Sequence, residues 1–226
     1  SATRFNHLVA NENFRFLPLG NAEDDRKLKV AAAFLLTLRG TPFLYYGEEI
    51  GMRDIDLRRK EDVLDPIGKT FWPLMKGRDG CRAPMQWSGA PNAGFSPPGV
   101  KTWLPVHPDA AHRNVEDQQD DPCSLYNWYK RLIALRRANV ALTEGMFQPL
   151  TFGTRFILAY LRQTRDQTVL VALNFSRRRQ RLVLGSHLAR ANPRLLLSTH
   201  RDATPDLLRG SLLPLEPYEV VIMEIR

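Results

Sequence analysis

The chain has 226 residues, 43% of them hydrophobic and 25% charged, a balance normal for a globular protein with a core and for about one to two domains. No apolar run approaches the roughly 20 residues a membrane helix needs; AAAFLLTL at 31–38 is short and bounded by charge, so no membrane partner is expected. The formal net charge of +8 sits mostly in residues 150–226, which hold twelve Arg, no Lys and six acidic residues.

The opening stretch, SATRFNHLVANENF, lacks a Met and the apolar centre of a signal peptide. It reads as the interior of a longer chain. Residues 21–39 then give a helix: Asn21 is suited to its N-cap, and Glu23, Asp24 and Asp25 suit its positive end. Leu28, Ala31, Ala32, Leu35 and Leu36 form its apolar stripe, and Gly40 its stop. TPFLYY, 41–46, is short, apolar and flanked by Gly40 and Gly47, which predicts a buried strand. Helix followed by buried strand fits an α/β layer or barrel.

Residues 51–120 carry many Pro, Gly, Asp and Asn residues and little periodicity, so they are expected to form a long loop excursion. Trp72, Trp87 and Trp103 within it require something to pack on, either protein or ligand. A second helix is predicted over 121–139, with Asp121 as cap and Pro122 in its first turn. Its face is Leu125, Trp128, Leu132 and Leu135. From about 144 the runs FILAYLR, TVLVALNFS, QRLVLGS, RLLLST and PYEVVIMEI alternate with turn signals, which predicts an antiparallel β-sandwich or barrel and a domain boundary near 143.

The cluster Arg177, Arg178, Arg179 and Arg181 follows the turn-like Asn174-Phe175-Ser176 and has no aromatics spaced for base stacking, so a solvated hairpin tip is expected and no nucleic-acid partner. Cys81 and Cys123 match no metal spacing, and His107 and His112 have no paired ligand, so neither metal nor cofactor is expected and a reduced, cytoplasmic setting fits. Glu48 and Glu49 follow the predicted strand. Adjacent residues on an extended chain point to opposite sides and so make a poor pair facing one substrate, and this pair is expected to anchor the turn. Tyr45 and Tyr46 lie at a strand end, where they would either border a site or, as expected here, pack in the core.

GTPFLYYGEEIGM (40–52) resembles the last barrel strand and following turn of the α-amylase superfamily, glycoside hydrolase family 13. RDGCRAPMQWSGAPNAGF (78–95) resembles a loop of its α-glucosidase and oligo-1,6-glucosidase branch, and WLPVHP (103–108) and NVEDQQDDPCSLYNWYKRLIALRR (114–137) resemble the segments that follow it there. The resemblance implies an α/β plus all-β chain. Residues 1–143 would be the last strands and helices of a (β/α)8 barrel, with 51–120 as its excursion, and 144–226 a C-terminal antiparallel β-sandwich domain.

It also implies retaining chemistry on α-linked glucosides or short oligosaccharides. The family's nucleophile lies in a GxRxD motif and a third carboxylate in an NHD motif. Gly153-Thr154-Arg155-Phe156-Ile157 lacks the Asp, and Asn6-His7-Leu8 has Leu in its place. SATRF resembles the stretch just after NHD, so the chain is expected to be a C-terminal fragment with no catalytic carboxylate, inactive alone and open to self-association through an unpaired sheet edge. A trehalose- or sucrose-converting transferase or isomerase of the same superfamily remains open, as does a non-catalytic homologue serving as an interaction module.

By the same resemblance Arg82, in R-x-P-M-Q-W, is the expected substrate-binding residue at the mouth of the site. The alternative has Arg82 pairing with Asp79 or a barrel carboxylate to shape the loop. Asp79 and Arg78 are expected as loop-internal partners, and Trp87 as a loop anchor buried in the core.

Overall fold

The structure is a computed structural model that describes residues 22–150, 155–202, 208 and 210–226. Asn21, Asn6-His7-Leu8, SATRF, the Gly153-Thr154 start of the GTRFI stretch and most of the predicted turn at 203–210 lie outside the described residues.

Helix α1, Ala22–Thr37, buries Leu28, Ala31, Ala32 and Leu36 as its spacing requires, together with Val30 and Ala33, whereas Leu35 is only half-buried. A helix end leaves carbonyls without intrahelical donors. Here two arginines supply them: Arg136 donates to the carbonyls of Leu36, Leu38 and Gly40, and the buried Arg162 donates to that of Thr37 at 2.6 Å. Cations at this end also suit the helix dipole.

The predicted strand at 41–46 is not formed. Residues 41–45 have no regular structure, and Phe43 is 85% exposed. A strand exists through its ladder, and no strand of the described residues pairs with this segment. Beyond it Gly47 and Gly51, at φ 84° and 68°, bracket a single 3₁₀ turn, Glu48–Ile50. A Cβ on Gly47 would lie 2.6 Å from the Met52 sulfur, so the turn demands glycine there on both counts.

The described chain divides into two compact units. One holds residues 44–129, the other 22–43 together with 130–226. In the first, the irregular excursion carries its own apolar core of Ile50, Met52, Ile55, Leu57, Val63, Ala83, Met85 and Leu104. Trp72 packs on that core. Its regular elements are short: α2, Pro66–Phe71, and α3, Val115–Gln119. Polar side chains replace the missing ladders. Asn114, fully buried, accepts from the Asp117 N–H and donates to the Ala110 carbonyl, capping α3.

Helix α4, Leu125–Ala138, starts later than predicted. Asp121 instead holds the preceding turn, accepting from the Cys123 N–H, and Ser124 takes the cap position by accepting from the Asn127 N–H. Leu125, Trp128 and Leu132 are buried and Leu135 half-buried. A short helix, α5, Val140–Thr143, follows.

The second unit contains strands β1 Met146–Leu150, β2 Ile157–Gln163, β3 Thr168–Asn174, β4 Gln180–Val183, helix α6 Ser186–Arg190, then β5 Pro193–Ser198, β6 Leu212–Leu215 and β7 Val220–Ile225. The order β1-β2-β3-β7-β5 makes one antiparallel sheet, and β4-β6 a second. Both contribute to one apolar core: Ala159, Leu161, Leu170, Ala172, Val221 and Met223 from the larger, Leu182, Leu213 and Leu215 from the smaller. Between β3 and β4 the Arg177–Arg179 tip is exposed. Asn174 holds it, donating to the carbonyls of Arg178 and Glu216, and Arg179 pairs with Glu216 at 2.7 Å.

Candidate functional site

The irregular unit holds a cavity of about 610 Å³. Tyr45, Tyr46, Phe95 and Trp103 give it aromatic walls, Leu64, Pro66, Met85 and Leu104 aliphatic ones, and Asp65, Asp79 and Arg82 its charged groups. Arg82 ends the 3₁₀ turn Asp79–Arg82, and its side chain is 42% exposed. The turn is pinned from inside. Cys81 is buried with its Sγ donating to the Arg78 carbonyl, and the Tyr46 hydroxyl donates to the Ala83 carbonyl at 2.9 Å.

Asp79 does not pair with Arg82 or Arg78. It is buried, and one of its oxygens accepts the N–H groups of Leu64 and Asp65 at 2.6 and 2.7 Å. The carboxylate beside the arginines is Asp65, which the sequence reading missed. Its Oδ1 caps α2, accepting from Ile67 and Gly68, while Oδ2 accepts from the N–H and the guanidinium Nε of Arg78 and lies 3.9 Å from Arg82 Nη1. Burial alone would raise this carboxyl's pKa. The N–H groups of Gly68, Arg78 and Ile67 and the Arg78 guanidinium outweigh it and hold the group below the ordinary value of 3.8. The local signal was present: Asp followed by Pro66 at the first helical position is a helix start.

Trp87 is 51% exposed, against the expectation of a buried anchor. Its backbone, not its indole, ties the loop: its N–H donates to Ala93 and its carbonyl accepts from Glu116. The buried anchor of the segment is the preceding residue. Gln86, fully buried, donates to Asp109 at 3.0 Å and to the Arg113 carbonyl. Asp109 in turn receives His107 Nδ1. Burial would raise the Asp109 pKa, and the His107 and Gln86 contacts lower it.

Tyr45 and Tyr46 border the cavity, and Tyr46 is exposed. Glu48 is buried and lies near Tyr129. Burial first, then the charges of Glu48 and Glu49, push the Tyr129 phenol far above its ordinary range. Among the described residues no group of three or more His, Cys, Asp or Glu is placed to hold a metal, no helix is long and apolar enough to cross a membrane, and neither Cys81 nor Cys123 is in a disulfide. A rigid arginine fork set among aromatic rings is suited to polyhydroxylated rings, whose hydroxyls accept from guanidinium donors and whose C–H faces pack on aromatic faces.

Residues 5–145 match the family model for the alpha amylase catalytic domain. A probable alpha-glucosidase of Rhizobium meliloti (strain 1021) is 38% identical over 172 residues, covering 76% of this chain and 30% of the relative. An oligo-1,6-glucosidase of Parageobacillus thermoglucosidasius is 30% identical over 244 residues, covering 98% of this chain and 43% of the relative. The crystal structure of isomaltulose synthase from Klebsiella sp. LX3 superposes with a TM-score of 0.76 at 27% identity, over 89% of this chain and 38% of that one. The chain thus spans less than half the length of these three proteins.

Proposed function

Because the chain belongs to the alpha amylase catalytic-domain family, we propose that it is the C-terminal portion of a retaining α-glucosidase-like enzyme acting on α-linked glucosides or short oligosaccharides. The catalytic carboxylates stand in residues upstream of it. Residues 1–143 supply the end of the (β/α)8 barrel and its excursion, and 144–226 the antiparallel β-sandwich domain. The two sheets that share one core support the second assignment. The pair of cysteines outside any disulfide is consistent with a cytoplasmic enzyme.

One observation carries the reading: Arg82 lies on a cavity with aromatic walls. In this reading its guanidinium donates to hydroxyls of the leaving, acceptor-side sugar, and Asp65 and Asp79 hold the loop that presents it. A charged donor fork at this place binds the departing ring without taking part in proton transfer, since arginine stays protonated at working pH.

The similarity to isomaltulose synthase favours a second reading, in which the same pocket retains the released sugar for transfer rather than hydrolysis.

In an enzyme completed by its upstream residues, Arg82→Ala should raise KM for a disaccharide about ten- to a hundredfold, the worth of a hydrogen bond to a charged group. Arg82→Lys should restore little, because it lacks the planar fork. Steady-state kinetics of both variants check this, and unchanged values would assign Arg82 to loop structure alone.

A further inference from the structure

Helix α2 turns one side to its own unit and leaves the other bare. On the inner side Gly68 is buried, and a Cβ there would lie 2.6 Å from the Lys76 carbonyl oxygen and 2.8 Å from Val63, so the helix sits directly on the chain beneath it. On the outer side Ile67 is 47% exposed, Phe71 55%, Met75 54% and Leu74 95%. The Met75 N–H donates to the Phe71 carbonyl at 3.0 Å, which carries helical spacing past the end of α2. Positions 67, 71, 74 and 75 then follow the spacing of one helix face. Apolar residues scattered singly on a surface are ordinary, whereas a contiguous group marks an interaction surface.

The face is held rigid from behind. Asp65 accepts from the N–H groups of Ile67 and Gly68, and the Thr70 hydroxyl donates to the Pro66 carbonyl. Trp72 packs on the apolar core of the unit, with Lys76 Nζ 5.7 Å from its ring centroid. A face ordered in advance loses little entropy on docking.

Charge and area select the occupant. Residues 54–79, the face and the chain around it, hold six basic and six acidic residues, a net charge of zero in a chain of +8. Such a region has no net attraction for nucleic acid, anionic lipid or an acidic protein, and no net repulsion for a copy of itself. The four outer side chains expose on the order of 500 Å² together. The same face on a second copy doubles this to on the order of 1,000 Å², the area at which a specific interface begins. Identical faces meeting about a two-fold axis satisfy both conditions. We infer that the face formed by Ile67, Phe71, Leu74 and Met75 is a homodimer interface, with α2 of one copy packed on α2 of the other.

Sedimentation velocity and light scattering of the purified 226-residue chain, and of the same chain with its upstream sequence restored, test this. Both should dimerise, with a Kd on the order of 10 μM for an interface of this size. Leu74→Asp should weaken association at least about tenfold by placing a charge at the centre of the contact. Leu74 touches little of its own chain, so the urea midpoint should stay unchanged; Met75→Glu, which should give the same loss, guards against an effect on the fold. Phe43→Asp, at an exposed side chain outside the face, should leave the dimer intact. A wild-type chain that stays monomeric at about ten times that Kd overturns the interface. So does a dimer that survives both Leu74→Asp and Met75→Glu, or one lost equally in Phe43→Asp. A dimer formed by the 226-residue chain but not by the extended protein overturns it as well, because upstream residues then cover the face.

Discussion

Asp79 and Asp65 divide the work at the Arg82 loop. Asp79 receives two backbone N–H groups, and Asp65 caps a helix while facing Arg78 and Arg82. Removing a buried acceptor leaves its donors dry, at roughly 1–3 kcal/mol for each orphaned group. Asp79→Ala should therefore lower the denaturation midpoint of the chain clearly, while Arg78→Ala, at an exposed and solvent-screened guanidinium, should lower it little. Urea titrations of the two variants check this, and equal small losses would remove Asp79 from its supporting role. Of the residues named from sequence, Arg82 lies on the cavity and Asp79 beneath its loop. Trp87 was misplaced because an aromatic in a polar loop reads alike whether it anchors the loop or faces solvent. Asp65 was missed for a different reason. Its significance lies in a partner 13 residues away, Arg78, and no local pattern encodes such a meeting.

At the level of elements, legibility followed periodicity. Helix α1 and strands β2, β3, β4, β5 and β7 were visible in their apolar spacing. Strands β1 and β6 were not, because Pro149 and Pro214 remove a ladder donor from MFQPL and LLPL and weaken the pattern. Both are tolerated at margins: among the described residues β1 has one neighbour, β2, and β6 pairs only with β4. The strand expected at 41–46 failed in the opposite sense, since apolar composition predicts burial but cannot supply a partner. Helix α1 and strand β2 also share a titratable contact. The Tyr160 hydroxyl meets that of Thr37, and burial pushes the phenol up to about 12. A folded-state pKa above the unfolded value of about 10 stabilises below that pH, and the contribution is lost as pH rises through about 12. Stability should therefore fall across that interval, with Tyr129, also raised, adding to the slope. Tyr160→Phe should flatten the fall, and pH-dependent chemical denaturation of both proteins measures it. An identical slope in the variant would remove Tyr160 from the effect.

At the scale of the whole molecule, the chain belongs to an enzyme family but spans 30% and 43% of the two glucosidases named above. Its cavity shows a guanidinium fork, that of Arg82, and aromatic walls. Phe43 and Leu44 are exposed on a segment without a strand partner among the described residues. In the proposed enzyme this chain carries part of the sugar-binding wall and the upstream residues carry the chemistry. The most direct test is the release of p-nitrophenol from p-nitrophenyl α-glucoside by the purified 226-residue chain beside the same chain with its upstream sequence restored. Turnover is expected from the extended protein and none from the chain alone; sustained turnover by the purified chain would place catalytic groups within it.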